Sequence, residues 1–311
     1  MIKVSEIFYS LQGEGHFVGV PSVFLRTFGC NFECRGFNMP PGQKTQVPEI
    51  VAKEYKNHPE WTLGDLPIIN TGCDSYASWH KGFKDLSPSL STEAIIDEIF
   101  KVLSAPRMNY VYGKGTWTDK DVIDDPWSNA IFSDATRIKP HLVVTGGEPL
   151  LGWQKQYPDL LDKLHKVGFK YITFETNGTK EIVDDLHDYL LLDQIKGHKW
   201  DVTFSVSPKL PCSGEIQEDA LKPEVVESYQ QYGRVYLKFV VASEGDIFHV
   251  EKFVRSYRDA GFNGDVYLMP CGGDAETYHA NSEKVSELCL ANNYKYSPRL
   301  HVDIWGNQWA T

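Results

Sequence analysis

The sequence predicts an α/β fold built on a parallel sheet, open or curled into a partial barrel, with two long tracts inserted into it. Six apolar runs carry the strand part of that expectation: VFLRTFG (23–29), HLVVTG (141–146), KYITFETNG (170–178), VTFSVSP (202–208), VYLKFVV (235–241) and DVYLMP (265–270). They are rich in β-branched and aromatic residues, and most close on Gly or Pro, as buried strands do. Helical patterns lie between them, and strand alternating with helix implies right-handed βαβ units. The chain has 311 residues, 41% hydrophobic and 23% charged, which suits one large α/β unit with insertions.

Taken in order, the strand at 23–29 is followed by a polar tract at 35–72, rich in Pro and Gly and too long for an ordinary connection. STEAIIDEIFKVLS (91–104) has the helical period, and a second long tract covers about 106–138. Beyond the strand at 141–146, helices are expected at 159–168, 223–233, 246–261 and 276–293, with Gly168, Gly233 and Gly261 just past their ends. Both long tracts read as insertions on one scaffold, so a single domain is expected over 1–311.

The net charge of −11 argues against a broad basic surface, so a small molecule is the expected partner, with no direct nucleic acid contact. No apolar run reaches the length of a membrane span, and MIKVSEIFYSLQGEG lacks the apolar core of a signal peptide; a cytoplasmic protein is expected. Six cysteines in this length are too sparse for a disulfide scaffold. Cys212, Cys271 and Cys289 are scattered and read as small buried thiols.

Cys30 and Cys34 stand in GCNFECRGF (29–37), and TGCDSYASWH (71–80) brings Cys73 after 38 intervening residues. Sequence distance is a small obstacle, since doubling a loop costs only about 0.6 kcal/mol in closure entropy. Three cysteinates hold three irons of a cubane cluster and leave the fourth open. Zinc is the competing reading, with His80 as the nearest fourth ligand. The strand HLVVTG runs into TGGEPLL (145–151), where adjacent glycines at a strand's C-terminal end let a ligand approach the backbone. A plain glycine turn before a Pro-started helix is the alternative.

Cys30, Cys34 and a displaced Cys73-Asp74-Ser75, followed by TGGEP, FETNGT and SVSPK at successive strand ends, resemble the radical S-adenosylmethionine (SAM) superfamily. Within it, EIFYSLQGEGHFVGVPSVFLRTFGCNFEC and the late RLHVDIWGN (299–307) resemble the 7-carboxy-7-deazaguanine synthases. In the superfamily's CxxxCxxC loop the third position would be Phe37, which cannot bind iron. The resemblance therefore implies an interrupted triplet, Cys30, Cys34 and Cys73, holding a [4Fe-4S] cluster in a partial (β/α) barrel of the radical SAM type.

The same resemblance implies reductive cleavage of SAM to a 5′-deoxyadenosyl radical, hydrogen abstraction from C6 of 6-carboxy-5,6,7,8-tetrahydropterin, ring contraction and loss of ammonia. It places the SAM amino group at Gly146 and Gly147, with Glu148 fixing that turn. Glu175, Asn177, Ser207 and Lys209 would line the SAM ribose and carboxylate. Leu11, Gln12, Gly13 and Glu14 match the family's pterin-binding segment, Thr145 a substrate hydrogen bond, and Ser75 a hydroxyl ligand to Mg²⁺. Arg26 offers a planar fork suited to a carboxylate, with an ion pair inside the barrel as the alternative. Met269 stands where the family commonly has Gln. A homodimer and an electron donor such as flavodoxin or ferredoxin are the expected partners. The competing functions are radical SAM chemistry on another substrate, such as a glycyl-radical activase, and a non-catalytic zinc or scaffold protein.

Overall fold

The computed structural model describes residues 1–104, 140–195 and 200–311. Its strands are β1 (Ile2–Leu11), β2 (Pro21–Thr27), β3 (Ser89–Leu90), β4 (His141–Gly146), β5 (Tyr171–Thr176), β6 (Asp201–Val206), β7 (Arg234–Val241), β8 (Val266–Pro270) and β9 (Lys295–Tyr296). They form one sheet in the order β3-β1-β2-β4-β5-β6-β7-β8-β9. From β2 onward the neighbours in that order are parallel, as the βαβ alternation predicts.

The sheet departs from the expected all-parallel form at one edge. β1 pairs antiparallel with both β2 and β3. Its sequence, IKVSEIFYSL, mixes Lys, Ser and Glu with apolar residues and contains a register irregularity between Val4 and Glu6, so it lacks the continuous apolar run of a buried parallel strand. The β1–β2 connection turns the segment LQGEG into the mouth of a hairpin, where Gly19 N–H donates to the Gln12 carbonyl.

β2 and β4–β8 alternate between two interiors. Leu25, Leu142, Val144, Phe174, Phe204, Leu237, Phe239 and Leu268 face one large apolar core. The helices α1 (Val47–Tyr55), α2 (Thr92–Ser104), α3 (Tyr157–Lys166), α4 (Asp184–Ile195), α5 (Gln217–Ala220), α6 (Pro223–Ser228), α7 (Asp246–Asp259), α8 (Ala275–Asn292) and α9 (Leu300–Trp305) complete the described chain, and those following β3, β4 and β7 send Ile95, Leu160 and Phe253 into that core. The intervening positions, Phe24, Arg26, Thr145, Glu175, Ser205, Lys238 and Met269, line one cavity instead. Because side chains of successive residues point to opposite faces, these mostly polar side chains share the concave face of a curled sheet. Its two ends approach each other: Gly15 N–H donates to Ser297 Oγ (2.8 Å) and Leu300 N–H to the Gly13 carbonyl (3.0 Å). β3 and β9 do not pair, so the barrel is partial.

Gly168 and Gly261 close α3 and α7 with positive φ, and the following Phe169 and Phe262 N–H groups reach back to Leu164 and Tyr257 carbonyls. Gly233 differs from the expectation. Its φ is not positive; a Cβ there would lie 2.1 Å from the Val202 carbonyl oxygen, so close packing on β6 is what requires glycine.

The tract 35–72 carries α1 and a small core of its own, in which Val51, Ala52, Leu66 and Ile69 pack with Tyr76, Ala77 and Phe83. Trp309, near the end of the chain, packs against this core and donates from Nε1 to the Leu66 carbonyl (2.9 Å). The second expected insertion, 106–138, lies outside the described residues.

Candidate active site

The loops after β2, β4, β5, β6 and β8 and the tract 35–72 meet at the C-terminal ends of the parallel strands, around a cavity of about 250 Å³. The cysteine loop leaves β2 through Gly29, whose N–H donates to the Ser78 carbonyl (2.7 Å). Phe32 N–H points at Cys30 Sγ (3.4 Å), and Cys34 adopts a left-handed φ of 48°. The tract then leaves and returns to the same place. Thr45 N–H donates to the Arg35 carbonyl and Gly72 N–H to the Phe37 carbonyl, each at 2.9 Å, and the Thr45 and Thr71 hydroxyls are 3.0 Å apart. Cys73 follows directly, so Cys30, Cys34 and Cys73 sit on one wall of the cavity, packed with Phe32, Phe37 and Ala220. Phe37, which cannot bind iron, lines the cavity beside them.

Burial pushes all three thiols up, Cys30 to about 12 and Cys73 to about 11, with Cys34 also well above the usual thiol range. Such thiols stay protonated unless a metal takes the proton's place. Among the described residues no three His, Cys, Asp or Glu side chains gather tightly enough to hold a single metal ion. A closed zinc site would also need His80, but its Nδ1 accepts from Gly82 N–H (3.1 Å), its Nε2 lies 3.8 Å from Glu49, and it does not line the cavity. Three thiols on the wall of one hollow, with two backbone glycines beside them, suit a polynuclear iron–sulfur cluster with an open position.

The glycine pair is required first by the protein itself. A Cβ on Gly146, whose φ is 138°, would lie 2.2 Å from the Thr27 carbonyl oxygen, and one on Gly147 would lie 2.2 Å from that of Gly29. The sequence reading assigned this room to a ligand; much of it is filled by the backbone leading to Cys30. Glu148 stands behind the turn. Its Oε1 accepts from Leu150 N–H (3.0 Å) and Thr176 Oγ1 (2.8 Å), and its Oε2 accepts from Asn177 N–H (2.7 Å). Fully buried, with burial raising its carboxyl above the usual range, it ties TGGEP to ETNG and does not reach the cavity.

Glu175 accepts from Gln12 Nε2 (3.0 Å) and from Thr145 Oγ1 (2.9 Å), joining three of the sequence-predicted residues in one chain of hydrogen bonds. Asn177 donates to Asn31 Oδ1 (3.0 Å) and accepts from Thr179 N–H (3.1 Å), which ties the loop after β5 to the residue following Cys30. Lys209 Nζ donates to Ser207 Oγ (3.0 Å) on the same wall. Arg26 Nε pairs with Glu6 (3.1 Å), the barrel ion pair considered as its alternative, and Nη1 donates to Ser75 Oγ (3.1 Å). Leu11 and Gly13 flank Gln12 on the cavity wall, and a Cβ on Gly13 would strike His301.

Glu14 anchors a charge cluster that sequence reasoning missed. It accepts from Lys238 and lies 3.4 Å from Arg299 Nε and 4.0 Å from His301 Nε2; Arg299 also donates to Asp74 and to the Gly272 carbonyl. Burial alone would raise the Glu14 carboxyl, but these cations hold it far below its ordinary value. Burial likewise opposes the Lys238 ammonium, and Glu14 and Glu175 outweigh it, so its pKa is raised. Burial and the Arg299 guanidinium lower His301 to about 4, leaving a neutral imidazole beside Glu14. Lys238 did leave a signal, a lone cation in VYLKFVV at the parity of Tyr236 and Val240. Arg299 and His301 come from beyond the last strand of the described chain; they stand in RLHVDIWGN, which was noted as a motif without a role for either side chain.

No protein-family model matches the chain. It is similar to 7-carboxy-7-deazaguanine synthases from Halobacterium salinarum (27% identity, 98% of this chain and 91% of the relative), Pyrobaculum aerophilum (25%; 98% and 96%) and Rhodopirellula baltica (24%; 100% and 89%). Similarity to 7-carboxy-7-deazaguanine synthases is thus what the sequence comparison finds. The relatives align along almost its whole length. A solved structure of QueE from Escherichia coli is also similar, at 20% identity over 96% of this chain and 94% of that one, with a TM-score of 0.47.

Proposed function

We propose that this protein is a radical SAM lyase that converts 6-carboxy-5,6,7,8-tetrahydropterin to 7-carboxy-7-deazaguanine with release of ammonia, in 7-deazapurine biosynthesis. One observation carries the reading: Cys30, Cys34 and Cys73 share a cavity wall with Gln12–Glu14, Arg26 and Thr145–Gly147. When bound, the cluster and SAM supply the one-electron chemistry that removes hydrogen from the pterin. Cys30, Cys34 and Cys73 would hold the cluster, and the turn at Gly146 and Gly147, with Ser207, Lys209, Glu175 and Asn177, would hold SAM.

The chain's own groups orient the pterin. Glu14, kept ionised by its buried cations, accepts from the guanidine-like edge of the ring. Arg26 turns from Glu6 and Ser75 to the substrate carboxylate, for which its fork of donors is suited. Thr145 and Gln12, both tied to Glu175, fix the ring edge between them. Mg²⁺ at Ser75 is a finer part of the proposal: the hydroxyl now accepts from Arg26, so Arg26's move to the carboxylate would free it, with Asp74 Oδ1 3.5 Å away as a second hard oxygen. An electron donor such as flavodoxin or ferredoxin, a homodimer, and a single domain over 1–311 belong to the same reading.

The test is anaerobic reconstitution of wild type and Cys73→Ala with iron counting, EPR of the reduced protein, and mass spectrometry of product. A SAM-responsive [4Fe-4S] signal and product in wild type, with neither in the variant, support the proposal. A cluster retained in Cys73→Ala would refute the interrupted triplet, and a wild-type cluster without product would refute the substrate. Product formation that is indifferent to Mg²⁺ would remove the role given to Ser75.

A further inference from the structure

The cysteine loop is held by a residue that none of its motifs contains. Glu215 Oε1 accepts from two successive N–H groups, those of Glu33 (2.9 Å) and Cys34 (2.6 Å). Consecutive N–H groups converging on one oxygen form a backbone anion site, and here a carboxylate of the same chain fills it. Cys34 is left-handed at φ 48°, a conformation that a side chain with Cβ adopts only under constraint. Its N–H is engaged by Glu215, so the contact fixes the residue at its strained point.

The segment bearing Glu215 is itself built against the loop. Gly36 N–H donates to the Ser213 carbonyl (2.8 Å), and a Cβ on Gly36 would lie 2.5 Å from Gly214 N, so the two backbones touch. Ser213 is fully buried; its hydroxyl donates to the Leu210 carbonyl (2.7 Å) and accepts from Glu215 N–H (3.2 Å), which sets the direction of the Glu215 side chain. This frame follows Lys209 directly, so the strand-end loop expected to contact SAM also braces Cys34.

We propose that Glu215 is a positioning residue for the cluster-binding loop, holding the Cys34 backbone in place and setting a negative charge beside the cluster that lowers its reduction potential. Potentials of such clusters respond to net charge and to hydrogen bonds around the sulfurs. The inference rests on the cluster reading given above. Its two parts separate by substitution: Gln keeps an oxygen acceptor and loses the charge, whereas Ala loses both.

The experiment is anaerobic reconstitution of wild type, Glu215→Gln and Glu215→Ala, with iron and sulfide counting, iron release to a chelator, and an EPR-monitored redox titration. Glu215→Gln should hold wild-type iron and show about a tenfold larger reduced-to-oxidised ratio at a given potential, a positive shift of about 59 mV for a one-electron couple. Glu215→Ala should release iron faster than both. A wild-type midpoint in Glu215→Gln, or wild-type iron release in Glu215→Ala, overturns the proposal. Wild type that takes up no iron overturns the cluster reading and this inference with it, whereas a wild-type cluster that makes no product refutes only the substrate.

Discussion

Glu14 accepts from Lys238 and faces Arg299, and all three side chains are largely removed from water. A buried ion pair adds little over an apolar pair of the same shape, but losing one partner strands the other charge, at about 3–5 kcal/mol. Glu14→Ala should therefore lower the unfolding free energy in urea by about 3 kcal/mol. Lys238→Met alone should do likewise, and the double variant should lose much less than the sum, because the two residues are in direct contact. Additive losses would mean that the pair is not coupled. Gly147→Ala tests a different residue-scale constraint. Its methyl would meet the Gly29 carbonyl at 2.2 Å, so either β4 or the cysteine loop must shift. Far-UV circular dichroism should stay close to wild type while reconstituted iron falls; unchanged iron would show that the glycine serves only the strand.

The tract 35–72 is an element with a small core of its own, and the chain's last residues are pinned to it. Trp309 is half-buried against Tyr76, and its indole N–H is satisfied by Leu66. Trp309→Ala should cost about 2 kcal/mol, below the range for a fully buried aromatic, and should increase cleavage within 35–72 in limited proteolysis. Replacing 38–71 with two glycines should retain iron uptake, because Gly72 already bonds to Phe37 and a shorter loop closes at lower entropic cost, while product formation is lost with the cavity wall. Loss of iron would show that the tract, and not only its ends, builds the thiol arrangement.

The elements that were legible in the sequence are those governed by local pattern: six strands, five helices, and the glycines that close α3 and α7. β1 was missed because an edge-proximal antiparallel strand with Lys3, Ser5 and Glu6 does not look apolar. α1 lay inside a tract read only by its Pro and Gly. At the site, motif-bearing residues were found, but the pairings that set their charge were not. Asp74 and Arg299 lay in quoted motifs and Lys238 was a lone cation in an apolar run, yet the meeting of Lys238 and Arg299 with Glu14, and of Arg299 with Asp74, comes from the closing of the sheet, which joins residues far apart in sequence and carries no local pattern.

At the scale of the whole molecule, the barrel floor is tied to acid stability. His141 is buried, its Nε2 lies 2.8 Å from Thr173 Oγ1, and the edge of its ring meets Phe17. Burial lowers it to about 4. The unfolded chain takes up a proton near pH 6.5 that folded His141 refuses until near pH 4, so its contribution is complete above about pH 6.5 and is lost as pH falls toward 4. The loss amounts to about 3 kcal/mol at most, at 1.36 kcal/mol per pKa unit. Urea unfolding across that interval should slope downward with acid in wild type and less steeply in His141→Gln. An equal slope in both would assign the acid sensitivity to other groups.

The alternation along β2 and β4–β8 has a consequence for how such a chain can change over generations. Odd and even positions of each strand answer to different demands, one to the apolar core and the other to the cavity. Gain or loss of a single residue within a strand would exchange the two sets, sending Lys238 or Glu175 into hydrocarbon and Phe239 or Phe174 into the cavity. Strands can therefore drift only by replacement, letter for letter, while changes of length are confined to the connections. A tract of 38 residues could enter between Cys34 and Cys73 without disturbing the frame on either side.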